Sequence, residues 1–420
     1  MENRLSIALR RAQVRPDFVN LINTNFHACG LLPNDEELRG AYASYFERPE
    51  LRVYAPEPAG LPALREAVAA YYDSCGVRVS PEQVVVTASA SESYTHIFTG
   101  ICTPPGRDAG SPRPAVLLPR PGYPLFEDVA LRCGLEPRFY ELDAERRWRI
   151  DEEHVASLMA GVASEGGRTA ALVLISPNNP TGSIADGPTI DSLARHCASA
   201  GAVMIVDEVF SEFRFEAAGL GPLPRPMEIA PDLPVYTING ASKLLASPDL
   251  KVSWIVASGP GSEEAIESLE VEAGIYLNAS PLNQHAAARL LAGAWGPRPG
   301  SAPAARIVAS VAERRAIMIE GLRRLADETS GAISFVEPAG GIHLPLLIDP
   351  EQGAARRTGG GWRTLDDEEL AVELLEAYSL ALHPGYLYGV EERTMLVASY
   401  LSPPDVIRAG LDRLRTFFTT

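Results

Sequence analysis

The spacing of apolar positions changes character along this chain, and the changes predict its elements. Leu5, Leu9 and Val14 predict a short helix within residues 1–18, followed by a short apolar run over 18–22 and a turn-like stretch from Asn23 to His27. Leu64, Val68, Tyr71 and Tyr72 recur at helical spacing until Gly76 stops them. From residue 84 short apolar runs alternate with helical patterns. Strands are predicted at 84–86, 115–118, 138–142, 170–175, 203–206 and 254–258, and helices at 92–102, 125–133, 155–160 and 190–200. The run 170–175 is strongly apolar, as a parallel strand covered on both faces requires. Such alternation predicts an α/β region whose functional loops follow the carboxyl ends of its strands. Residues 262–330 read as mostly helical, with a long helix near 304–327. A strand at 342–348, an exposed Gly/Arg-rich loop at 351–361, a helix at 368–378, a strand at 394–400 and a helix at 404–418 then predict a smaller α+β lobe. The expected division is a segment 1–55 contributing to the small domain, a large domain over 56–300, and the rest of the small domain over 301–420.

Composition narrows the function classes. With 420 residues, 46% of them hydrophobic, the chain buries a large core. A formal net charge of −17 argues against nucleic acid and anionic membrane as partners. Five cysteines without a CxxC spacing fit a reducing cytoplasm and argue against a structural zinc site, so no metal is expected. Residues 1–15 are charged and lack a signal-type apolar core, and no run approaches the ~18 apolar residues of a membrane span. A soluble, cytoplasmic protein is expected.

Several loops carry candidate chemistry. The small residues Thr87, Ala88, Ser89, Ala90 and Ser91 link a strand to a helix, an arrangement that offers free backbone N–H groups to an anion. Lys243 follows the apolar run 235–238 through the turn Asn239, Gly240, Ala241, Ser242. A buried lysine there has a lowered pKa and attacks a carbonyl. The order of Tyr54…Gly60-Leu61, Thr87 to Ser91, Gly122-Tyr123-Pro124, Asn178-Asn179-Pro180-Thr181-Gly182, Asp207-Glu208 and Ser242-Lys243…Lys251…Trp254 resembles the class I/II aminotransferases, which are fold-type I pyridoxal-phosphate enzymes. The resemblance spans roughly residues 20–415.

The resemblance implies a fold, a cofactor and a set of roles. The fold would be a large domain with a mostly parallel sheet flanked by helices, plus a smaller α+β domain made from both chain ends. The cofactor would be pyridoxal 5′-phosphate. Lys243 would form a Schiff base with it and later shuttle protons at the substrate Cα. Asp207 would sit beside the pyridine nitrogen and raise its pKa. Asn179 would donate to the ring 3′-oxygen and Tyr123 would stack on the ring. Ser89, Ala90, Ser91 and Ser242 would cradle the phosphate. Tyr54 would reach it from a neighbouring subunit, which implies a homodimer with shared sites. Three departures qualify the match. Lys251 stands where an arginine usually contacts the phosphate, and Phe210 stands where many relatives have a tyrosine. The stretch 395–400 lacks the arginine, in an Arg-x-Ser-Phe-like context, that grips a substrate carboxylate; Arg393 lies too early. Asn23, Asn25, His27, Tyr276, Asn278, His343 and Tyr386 are the candidates to line that pocket. The expected activity is amino-group transfer between an α-amino acid and a 2-oxo acid, in biosynthesis. The alternative is a lyase or synthase that eliminates or replaces a β- or γ-substituent or forms a carbon–carbon bond, S-adenosylmethionine being one conceivable substrate.

Overall fold

A computed structural model describes residues 4–32, 35–53, 55–103, 112–215, 222–294, 303–358 and 361–419. Three helices come first: α1 (Arg4–Gln13), α2 (Asp35–Phe46) and α3 (Pro62–Ser74). The α/β region follows as β1 (Val84–Thr87), α4 (Ala90–Ile97), β2 (Ala115–Arg120), α5 (Leu125–Arg132), β3 (Glu136–Asp143), β4 (Arg149–Ile150), α6 (Glu152–Ser164), β5 (Thr169–Ile175), α7 (Gly187–Ala200), β6 (Val203–Asp207), β7 (Val235–Gly240) and β8 (Ser253–Ser258). Local chemistry starts these helices. The Asp151 carboxylate accepts the His154 N–H at 3.0 Å ahead of α6, and Asp186 accepts the Thr189 N–H at 2.9 Å ahead of α7. Gly201, at φ 63°, ends α7.

The large sheet has the order β1-β8-β7-β6-β5-β2-β3-β4. Its strands β3, β2, β5, β6 and β7 are parallel neighbours, while β8 runs antiparallel to both β7 and β1. Strand β1 therefore points the same way as β7, and the carboxyl ends of β1, β2, β5, β6 and β7 share one edge. Every residue of β5 and of β7 is buried, which explains why those segments carry no solvent-facing alternation.

Helices α8 (Ser262–Tyr276), α9 (Pro281–Ala294) and α10 (Pro303–Glu328) lead to a second sheet. It comprises β9 (Ile333–Phe335), β10 (His343–Ile348), β11 (His383–Pro384) and β12 (Met395–Ser399), in the antiparallel order β9-β10-β12-β11. Helix α11 (Asp367–Tyr378) precedes β11, and α12 (Pro404–Thr419) closes the described chain. The stretch expected as a loop at 351–361 instead enters a hairpin, Ala355–Thr358 with Gly361–Thr364.

The N-terminal segment divides between two cores. Ala8 and Ala12 of α1 pack with Val372 and Leu375 of α11, and Val19–Asn20 pairs in parallel with Leu380–Ala381. Ala41 of α2 instead joins Leu64, Val68 and Tyr72 beside the large sheet. No helix among the described residues is long and apolar enough to cross a membrane.

Candidate active site

Five loops meet at the shared carboxyl edge. Strand β6 ends in Asp207, which is 3% exposed. Its Oδ1 accepts the Val209 N–H at 3.1 Å, and its Oδ2 accepts the Tyr94 hydroxyl at 3.1 Å. Burial pushes the Asp207 carboxyl up to about 6, against the pull of those two donors; the neighbouring Glu208 charge pushes the same way. Tyr94 sits on α4, 113 residues away in sequence, and no spacing rule pointed to it.

Strand β7 runs directly into a single helical turn, Ala241–Leu244, that carries Lys243. Gly240 is needed at the junction, because a Cβ there would come 2.8 Å from Ser253 Oγ and 3.0 Å from its Cα on β8. Asn239 stiffens the same turn: its Oδ1 accepts the Gly240 N–H at 2.8 Å and its Nδ2 donates to Ser211 Oγ at 3.3 Å. Lys243 Nζ lies 5.5 Å from the centre of the Phe26 ring and 5.8 Å from that of Phe210. Desolvation between these groups lowers its pKa to about 8. Lys243 and Lys251 are the only lysines in the sequence.

The turn after β5 holds Asn178 to Gly182. Asn178 Oδ1 accepts both the N–H (3.1 Å) and the hydroxyl (2.8 Å) of Thr181. Asn179 is left with a buried Oδ1 that finds no partner. The Ser176–Pro177 and Asn179–Pro180 peptides are cis. Gly182 (φ +66°) is pressed against the segment entering β10: a Cβ there would come 2.4 Å from Gly340 O. Gly340 N donates to Gly182 O at 2.8 Å and Gly341 N to Phe213 O at 2.8 Å, so β10 is pinned to the loops around Asp207 and Asn179. After β1, Ser89 caps α4 by accepting the Glu92 N–H at 3.2 Å. Ala90 and Ser91 open the helix, so their N–H groups lie outside its own ladder. After β2, Tyr123 is 43% exposed, with its ring edge-on to Phe126 at 5.5 Å. A cavity of about 240 Å³ beside it is lined by Tyr123, Tyr386, Tyr388 and Arg120.

A buried network backs this edge. Glu208 Oε1 accepts the Tyr72 hydroxyl at 2.5 Å, and Glu208 Oε2 pairs with Arg225 Nε at 3.2 Å. The Arg225 guanidinium lies 5.4 Å from the Tyr72 ring centre. The Tyr71 hydroxyl reaches Ser211 Oγ at 3.2 Å and Glu212 at 2.7 Å. The sequence reading singled out none of Arg225, Tyr71 and Tyr72 as site residues.

The remaining expected residues fall in several places. Ser242 is half-buried beside Lys243, and Phe210 is buried. Lys251 is exposed in a left-handed conformation (φ 52°). Asn23 and Asn25 spend their side-chain oxygens on the N–H groups of Asn25 (3.0 Å) and Ala28 (3.1 Å), which shapes a turn. That turn carries Phe26, rather than the asparagines, inward to Lys243. His27 keeps a buried Nε2 without a partner. Tyr276 is 62% exposed and lies against His96 (5.8 Å), and Asn278 Nδ2 donates to the carbonyls of Glu57 and Pro58. Tyr386 N donates to Asp367 at 2.7 Å. His343 is buried in β10, edge-on to Phe210 at 6.4 Å. Tyr54 lies outside the described residues. The Arg-x-Ser-Phe-like frame, aligned on Ser399-Tyr400, puts Val397 at the arginine position; Val397 is 1% exposed.

A lysine of lowered pKa, a buried carboxylate and an amide-bearing turn meet at one edge of an α/β sheet, an arrangement whose lysine can form an imine with a carbonyl group. The family model for aminotransferase class I and II matches residues 34–409, and the chain belongs to that family. It is 31% identical over 226 residues to the S-alkyl-thiohydroximate lyase SUR1 of Arabidopsis thaliana, covering 54% of this chain and 45% of that protein. It is 25% identical over 227 residues to human tyrosine aminotransferase, covering 54% and 46%. The chain spans about half the length of the curated relatives it matches. Its fold matches an alanine aminotransferase from Pyrococcus furiosus with a TM-score of 0.82 at 22% identity, covering 99% and 96% of the two chains. Enzymes of this family use pyridoxal phosphate. The residues present fit that group. The donor NH2 of Asn179, the buried Asp207 carboxyl and the N–H groups at the start of α4 could answer its ring oxygen, ring nitrogen and phosphate, while the unpartnered Asn179 Oδ1 is an acceptor and does not serve the ring oxygen.

Proposed function

We propose that this chain is a pyridoxal-phosphate-dependent enzyme that takes the amino group of an α-amino acid at Lys243 and passes it to a 2-oxo acid. The observation that carries this reading is the meeting at one sheet edge of Lys243, with its lowered pKa, and the buried Asp207, beside the turn that bears Asn179. When bound, the cofactor supplies an aldehyde for the amino group and a ring that takes up the electron pair released at the substrate Cα. Asp207 holds a proton on the ring nitrogen, and Tyr94 fixes the orientation of that carboxylate. Asn179 donates to the ring oxygen, where Phe210 offers no second donor. Tyr123 covers one face of the ring. Ser89, Ala90, Ser91 and Ser242 hold the phosphate, and Lys251 adds its charge from the solvent edge. Lys243, once displaced, moves the proton at the substrate Cα; a pKa near 8 leaves part of it as the free amine at neutral pH.

A second copy completes the site with Tyr54. The exposed apolar group Val271, Ile275, Tyr276 and Leu277, between 60% and 66% exposed, supports a homodimer that covers it. We also assign the protein to the cytoplasm and to a biosynthetic role.

A second reading, as a lyase or synthase, draws support from Val397 at the arginine position, from Phe210, and from the likeness to a protein named as a lyase. Mixing the cofactor-loaded enzyme with a panel of amino acids and S-adenosylmethionine, with no oxo acid present, separates the two. Transfer predicts conversion of the cofactor to its amine form. Substrate consumption with the cofactor returned unchanged would overturn transfer in favour of the second reading.

A further inference from the structure

The second sheet presents one face to Lys243, and the register says which residues share it. His343 pairs with Ser399, Pro345 with Val397, and His383 with Val397. Directly opposed residues of an antiparallel pair project to the same side, as do residues two apart in a strand. His343, Pro345, Val397, Ser399 and His383 therefore lie on one face, with two imidazoles flanking a valine where the family pattern has a guanidinium. His343 is 7% exposed and its Nδ1 has no partner. Its ring is edge-on (88°) to Phe210 at 6.4 Å, and Lys243 Nζ lies 5.8 Å from the same Phe210 ring, near enough for its charge to act on His343. The Tyr388 ring lies 6.5 Å from His343, and the Tyr388 hydroxyl is 3.1 Å from His383 Nδ1.

We propose that His343 receives the substrate's carboxylate in place of the missing arginine, as a neutral donor near neutral pH and as a charged one in acid. This inference rests on the Lys243 reading above and adds to it the group that selects an acidic substrate. A buried donor without a partner is costly, and a carboxylate relieves that cost. A neutral imidazole offers one N–H where a guanidinium offers a fork, so the pocket gains a charge-assisted bond only when the ring takes up a proton. The titratable groups around His343 are Lys243 after β7, His383 on β11 and Tyr388 just beyond it. Burial, then the charges of Lys243 and His383, hold the ring's pKa down to about 3, so it is neutral before substrate arrives. An anion beside it acts in the opposite direction. Binding of carboxylates therefore weakens as pH rises from the free ring's pKa, about 3, to its higher value in the complex and levels off above that, whereas a guanidinium pocket holds its charge throughout.

The probes are aminooxyacetate and O-methylhydroxylamine, which attack the same bound aldehyde and differ in the carboxylate. The readout is the ratio of their rates in discharging the visible band of the cofactor-loaded enzyme, which cancels differences in loading. Wild type is expected to favour aminooxyacetate by about tenfold near neutral pH, the worth of one hydrogen bond, with the ratio rising further as pH falls from about 5 to about 4, because a charge-assisted bond lifts the ring from about 3 by about one to two pKa units. His343→Gln keeps a neutral donor and is expected to lose the pH slope; His343→Phe is expected to lose the preference as well. A ratio unchanged in both variants, or one near unity in wild type, overturns the proposal. If neither probe discharges the band, the Lys243 reading itself fails and this inference falls with it.

Discussion

Replacing Asp207 with Asn should stabilise the cofactor-free protein and weaken the cofactor-bound one. The carboxyl is buried, and its pKa rises from 3.8 to about 6. Below about pH 4 it is protonated in both the folded and unfolded chains and contributes nothing. Between about pH 4 and pH 6 the unfolded chain releases the proton while the folded chain keeps it, so stability falls as pH rises. Above the folded pKa the cost is fully present. At 1.36 kcal/mol per pKa unit it comes to about 3 kcal/mol, and near pH 5.5 to about 2 kcal/mol. Asparagine removes the charge and keeps one oxygen, for Val209 N, while its NH2 faces the Tyr94 hydroxyl, which can turn to accept, so the cofactor-free variant should gain up to about 3 kcal/mol at neutral pH. With pyridoxal phosphate bound the sign reverses, because the variant has no anion for the protonated ring nitrogen and draws less stability from the ligand. Denaturant unfolding of both proteins, with and without cofactor, tests this. A cofactor-free Asp207→Asn protein no more stable than wild type at neutral pH would refute the buried-anion argument. Equal cofactor affinity in the two proteins would refute the contact with the ring nitrogen.

Other outcomes follow from the same geometry. Tyr94→Phe removes one of two donors to Asp207 and should raise the carboxyl's pKa further; cofactor titration by absorbance should find affinity lowered by about tenfold, the worth of a hydrogen bond to a charged group. Arg225→Met leaves Glu208 buried with only the Tyr72 hydroxyl, and should cost about 3–5 kcal/mol in denaturant unfolding. A loss under about 1 kcal/mol would mean that Glu208 takes up a proton or reaches water.

The large sheet was legible in the sequence because burial on both faces writes itself as apolar runs such as 170–175, and because caps such as Asp151 and Asp186 announce their helices. The loops carrying Asp207, Asn179 and Lys243 were legible for a related reason: each follows such a run at the sheet's carboxyl edge. Contacts between distant segments were not. Tyr94 reads as one more core aromatic of α4, and only folding brings its hydroxyl to Asp207. At residues 23–27 the two asparagines spend their side-chain oxygens on the turn, and Phe26, just after the second of them, faces Lys243. Tyr276 and Asn278 stand at the exposed end of α8, where Asn278 Nδ2 donates to the Pro58 carbonyl. The pairing of Ala355–Thr358 with Gly361–Thr364 was hidden in the sequence by its glycines and arginines.

The central claim is that Lys243 carries the cofactor, and the chain's shortage of lysines makes it directly measurable. The protein is loaded with pyridoxal phosphate, reduced with borohydride, digested and mapped by mass spectrometry. With Lys243 and Lys251 the only lysines, the added cofactor mass is expected on Lys243 and not on exposed Lys251. Cofactor mass on Lys251, or a visible cofactor band with Lys243 unmodified after reduction, would contradict the account.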